Sequence, residues 1–129
     1  MHSSLLLPNI HMATATQVAE FLGIHISTVR KIQQRNTVEL KHAGVISLTG
    51  TEVAQRIAEG STPVAITNKR GHMVVEWKAE NGDNQMTTIP HSHVMLFTKQ
   101  AVVIVAMHLR NMSEEQKQRV RSLVSALRG

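Results

Sequence analysis

From residue 14 to residue 43 the apolar positions recur at helical spacing, interrupted by a glycine and then by a small polar break. Thr14 or Thr16 can cap a first helix through Gln17, Val18, Ala19, Glu20, Phe21 and Leu22. Gly23 can end it, because glycine takes the left-handed conformation without a Cβ penalty. Ser27 can cap a second helix with apolar positions Val29, Ile32, Leu40 and Ala43, bent or broken near Asn36 and stopped at Gly44. Residues 45–48 form a short apolar run compatible with a strand. Thr49 and Glu52 then have the spacing of a capping box, which predicts a helix over about 50–59 closed by Gly60.

The period changes after residue 60. Runs at 64–67 and 72–77 flank Asn68-Lys69-Arg70-Gly71 and predict a β-hairpin; Asn81-Gly82-Asp83-Asn84 is a second turn, and 86–89 is a candidate third strand before Pro90. Helical spacing returns at 99–110, capped by Thr98, and at 114–128, where Ser113 and Gln116 repeat the capping-box pattern. In that last helix Val120, Leu123, Val124 and Leu127 form one apolar stripe, with acids early and bases late as the helix dipole prefers. The expected fold is mainly α with a small β-hairpin, of winged helix-turn-helix type with C-terminal helices. Its expected divisions are 1–12, a leader or a cloning remnant set outside the fold as disordered; 13–60, the helix-turn-helix region; and 61–129, the hairpin and the C-terminal helices, expected to dimerise.

Composition narrows the classes. The formal net charge is +5, and its placement is uneven: residues 13–43 carry four basic and two acidic side chains, 44–98 four and five, 99–129 six and two. The excess at the two helical ends suits a polyanionic partner. Phe21, Phe97 and Trp77 are the only aromatic residues, which argues against stacking on exposed bases. There is no cysteine, so disulfides and thiolate chemistry fall away, in keeping with a reducing compartment. The run Leu5-Leu6-Leu7 is too short for a signal segment, and the longest apolar stretch, 101–107, is far below the roughly 20 residues of a membrane span. A cytoplasmic protein without a membrane partner is expected.

Residues 18–32 carry the pattern that matters most. A helix-turn-helix needs a small residue where two helices cross, a turn glycine, and apolar residues at fixed offsets. Ala19 and Gly23 fill the first two roles, and Val18, Leu22, Ile24, Val29 and Ile32 the rest. The second helix would then expose His25, Ser27, Thr28, Arg30, Lys31, Gln33, Gln34 and Arg35. Arg30 suits a guanine edge, Gln34 an adenine edge, and Lys31 or Arg35 the phosphates. Lys69 and Arg70, at the hairpin tip, would grip the flank of the duplex. The competing reading is an ordinary helical hairpin with a solvated polar face.

The order Thr-Gln-Val-Ala-Glu-Phe-Leu-Gly-Ile, then Ser-Thr-Val-Arg-Lys-Ile-Gln-Gln-Arg-Asn, then Glu39-Leu40, Gly44-Val45, Leu48-Thr49-Gly50 and residues 96–102 resembles small helix-turn-helix DNA-binding regulators of phages and mobile elements, relatives of phage antirepressors. The resemblance touches most of residues 14–110, and its first block is the specific part. It implies a transcriptional regulator, or an antirepressor-like protein, that contacts DNA through residues 25–36.

Other chemistry is weaker. His91-x-His93 has a workable metal spacing if His72 or His108 completes it, but no cysteine or carboxylate cluster supports the pair, so no metal or other cofactor is expected. No Ser, His and Asp fall into a recognisable order, Asp83 is the sole aspartate, and no phosphate-binding glycine loop is present, so an enzyme is not expected. The expected function is duplex-DNA binding in transcription regulation, as a homodimer. The alternatives are a protein-interaction module that binds another regulator and a non-specific architectural DNA-binding protein.

Overall fold

The computed structural model describes residues 6–79, 82–110 and 112–128, with side chains up to residue 125. The chain enters through a two-residue strand β1 (Ala13–Thr14) and turns directly into α1 (Ala15–Leu22). Thr14 caps that helix reciprocally: its hydroxyl accepts from the Gln17 N–H at 3.2 Å, and the Gln17 side chain accepts from the Thr14 N–H at 3.0 Å. Gly23 ends the helix with φ of 68°, and the Ile24 N–H returns to the Ala19 carbonyl at 3.0 Å.

The helix α2 (Ile26–Arg35) follows. The expected Ser27 cap is corrected to His25, whose Nδ1 accepts from the Ser27 N–H at 3.1 Å, because the imidazole supplies an acceptor before the serine can. Asn36 breaks the helix with φ of −128°, and its side chain donates to the Ile32 carbonyl, so α3 (Thr37–His42) is a separate short helix. Next come β2 (Ile46–Thr49) and α4 (Gly50–Ala58), the latter capped by the Thr49/Glu52 box. Four strands follow: β3 (Val64–Lys69), β4 (His72–Lys78), β5 (Asn84–Pro90) and β6 (His93–Phe97). The chain closes with α5 (Lys99–Met107) and α6 (Glu114–Arg128).

Among the described residues there are six helices and two three-stranded antiparallel sheets, β1-β6-β2 and β3-β4-β5. With 46% helix and 26% strand this is an α/β mixture, which overturns the expectation of a mainly α, winged helix-turn-helix fold with one small hairpin. The decisive strand is β6. It pairs Phe97 with Ala13 on one side and Leu96 with Ile46 on the other, and so gathers strands of two and four residues that could not form a sheet alone.

Alternation along β6 also divides the interior. Phe97 points into a cluster with Val18, Leu22, Val29, Leu40, Val102, Val105 and Leu123. Val94 and Leu96, on the opposite face, enter a second cluster with Leu7, Val53, Ile57, Met73, Val75, Trp77 and Ile89. The apolar stripe of α6 joins the first cluster in part: Leu123 is buried, Val120 lies half-buried against it, Val124 is half-buried, and the side chain of Leu127 lies outside the described residues.

The segment before residue 13, set outside the fold by its sequence, is built into it from residue 6 onward. Leu7 is 1% exposed, and Asn9 donates to the carbonyls of Ile57 and Thr62 while accepting from the Thr62 N–H. Residues 1–5 lie outside the described part. Among the described residues, no helix is long and apolar enough to cross a membrane.

Candidate nucleic-acid interface

Val29 and Ile32 seat α2 on the first cluster, with Ile24 and Ile26 packed at its edge. That anchoring turns the opposite face outward: His25, Ser27, Arg30, Lys31, Gln34 and Arg35 are exposed, and Thr28 is half-buried. The end of α1, just before the turn into α2, is held by the last helix. Gln116 donates to the Leu22 carbonyl at 2.7 Å, and Arg119 donates to the Phe21 carbonyl at 2.9 Å, which satisfies acceptors that the end of α1 leaves open. Arg119 also pairs with Glu115 at 2.8 Å.

The helix stands between two concavities. On one side Arg30 and Gln33 line a cleft of about 190 Å³, whose other walls are Thr14 and Thr16 at the start of α1, Thr88 and Pro90 on β5, and His93 on β6. On the other side Thr28, Lys31 and Arg35 line a groove completed by His108 and Arg110 after α5. Gln34 lines neither concavity. His25 is engaged as the helix cap and by the Ser27 hydroxyl at 2.9 Å.

Lys69 and Arg70 are exposed at the turn between β3 and β4. Lys69 is the last residue of β3 and pairs with His72, which pairs with Pro90 in the cleft wall. This cross-strand row leads from Lys69 to the cleft that Arg30 faces. Arg70 forms the two-residue turn with Gly71, whose φ is 81°, and it lines neither concavity.

Sequence reasoning missed Thr88, His93 and Arg110 as neighbours of α2, and Gln116 and Arg119 as its supports. The basic excess of residues 99–129 was visible, but the side of α2 that Arg110 reaches depends on how α5 crosses the core. Hydrogen bonds from the Thr49 backbone and hydroxyl hold the Glu52 carboxyl below the ordinary glutamate value, opposed by desolvation and helped least by Arg56. Glu52 lies at the start of α4, away from α2. His91 and His93 do not join a third ligand: among the described residues no group of three or more His, Cys, Asp or Glu side chains could hold a metal ion. Compared with known protein families, curated proteins and solved structures, the chain matches none.

Proposed function

We propose that the protein binds double-stranded DNA through α2 and serves in transcription regulation. The observation that carries this reading is the division of α2 itself: Val29 and Ile32 are buried, while Arg30, Lys31, Gln34 and Arg35 stand exposed on a ridge between two concavities. Such a ridge suits a major groove, where the guanidinium and amide groups meet base edges and the flanking cations meet phosphates. Burial of Phe21, Trp77 and Phe97 favours a duplex over a single strand, since those rings cannot stack on unpaired bases.

Two copies on one duplex are part of the same reading, because pairing two small readers raises affinity and sets half-site spacing. Of the stripe of α6, Leu123 and Val120 are already taken up by the first cluster. Selection of duplexes from a random pool tests the proposal. Enrichment of a two-fold-symmetric site supports a dimeric reader; retention of the whole pool without preference supports the architectural alternative.

A second reading, the antirepressor-like module that binds another regulator, is favoured by exposed apolar side chains. Val38 is 70% exposed, and Ile46, at 38%, lines a shallow groove with Lys41 and Met95. It is distinguished by a stoichiometric protein complex that survives loss of duplex binding.

A further inference from the structure

The groove between α2 and the segment after α5 gathers charge that the chain does not neutralise. Lys31 and Arg35 reach it from α2, and Arg110 reaches it from the opposite wall; all three are exposed. Of the ion pairs among the described residues, His108 with Glu39 lies on the wall of this groove, and Lys117 with Glu114 and Arg119 with Glu115 lie on α6. Glu39, which α3 supplies nearest this groove, is held by His108 Nε2 at 3.0 Å. No carboxylate among the described residues lies within ion-pair distance of Lys31, Arg35 or Arg110. Three like charges gathered in one groove repel one another, and an anion seated among them offsets that repulsion.

We propose that this groove is a phosphate site and that Arg110 holds the backbone of the duplex whose base edges α2 reads. The inference rests on the duplex-binding reading and extends it. A helix lying in a major groove is bordered by two phosphodiester backbones, one along each side. The cleft at Arg30 and His93 faces one of them, and the groove at Lys31, Arg35 and Arg110 faces the other. A guanidinium on a short exposed segment suits this role, because its planar fork matches phosphate oxygens in pairs. Arg110 contributes position and charge, and Gln34 and Arg30 contribute base choice.

The test is a salt titration of a random-sequence duplex with the intact protein, Arg110→Gln, Arg110→Lys and, as a control on α4, Arg56→Gln. Loss of one phosphate contact is expected to make the slope of log affinity against log salt less negative by about 0.9 in Arg110→Gln. Arg110→Lys and Arg56→Gln are expected to keep the intact slope, and random and enriched duplexes should weaken equally in Arg110→Gln. An unchanged slope in Arg110→Gln overturns this inference while leaving the reading of α2 intact; no duplex binding by the intact protein overturns that reading itself. Inorganic phosphate at matched ionic strength separates the sources. If it protects the amides around Arg110 from hydrogen exchange and a duplex does not, the groove takes a free anion and the proposal fails.

Discussion

The side-chain amide of Gln116 donates to the carbonyl of Leu22 over 2.7 Å, across a separation of 94 residues. The oxygen of the same amide accepts from the Ser113 N–H, also at 2.7 Å. One side chain thus caps the start of α6 and the end of α1, and the last helix fixes the turn from which α2 departs.

Removing these supports should loosen that turn before it unfolds the protein. Gln116→Ala is expected to cost about 1 kcal/mol, and Arg119→Ala roughly 1.5–3 kcal/mol because a charged donor is lost. Urea denaturation measures both losses, and hydrogen exchange should accelerate first at residues 21–24. Uniform acceleration along the chain would assign these side chains a general role in stability.

Gly50 is required by close approach. A Cβ there would strike the Pro90 carbonyl oxygen and come within 2.8 Å of the His91 Cα, and the Gly50 N–H donates to the Ser92 carbonyl at 2.9 Å. The backbone of Pro90 and His91 cannot yield as a flexible side chain would. Gly50→Ala is therefore expected to cost about 1–3 kcal/mol and to displace the turn that carries Pro90 and His93 into the cleft wall. A loss within about 0.5 kcal/mol, as at an ordinary surface position, would contradict this packing.

Glu52 gives a pH dependence with a definite sign. Its carboxyl is held below the ordinary glutamate value in the folded chain, chiefly by the Thr49 backbone and hydroxyl, so it releases its proton more readily when folded than when unfolded. The stabilisation is present above the ordinary carboxylate value and is lost as pH falls through the lower folded-state value. The gap in denaturant midpoint between the intact protein and Glu52→Gln is expected to shrink on acidification over that window. A gap independent of pH would remove the charged carboxylate from the account.

Local signals in the sequence were informative where the chemistry is local. The boxes at Thr49/Glu52 and Ser113/Gln116 close as their spacing predicts, Thr14 is the cap of the two threonines offered for α1, and Gly23 ends that helix. The exposed set on α2 follows from the spacing of Val29 and Ile32. What was not legible depended on distant pairing. Residues 93–97 run straight into an apolar helix, and nothing nearby shows that Leu96 will face Ile46 while Phe97 faces Ala13. Leu7 has no periodic neighbours to mark it as core, because its partners Val53, Ile57 and Trp77 come from other elements. The supports of α2 were hidden for the same reason: Arg119 and Phe21 are 98 residues apart.

The most direct measurement is the affinity of the double variant Arg30→Ala/Lys31→Ala for duplex DNA, taken beside its thermal unfolding. Both side chains are exposed, so the unfolding midpoint should stay close to that of the intact protein while duplex binding is lost. Binding that persists at the intact affinity in a folded double variant would show that α2 is not the reading surface.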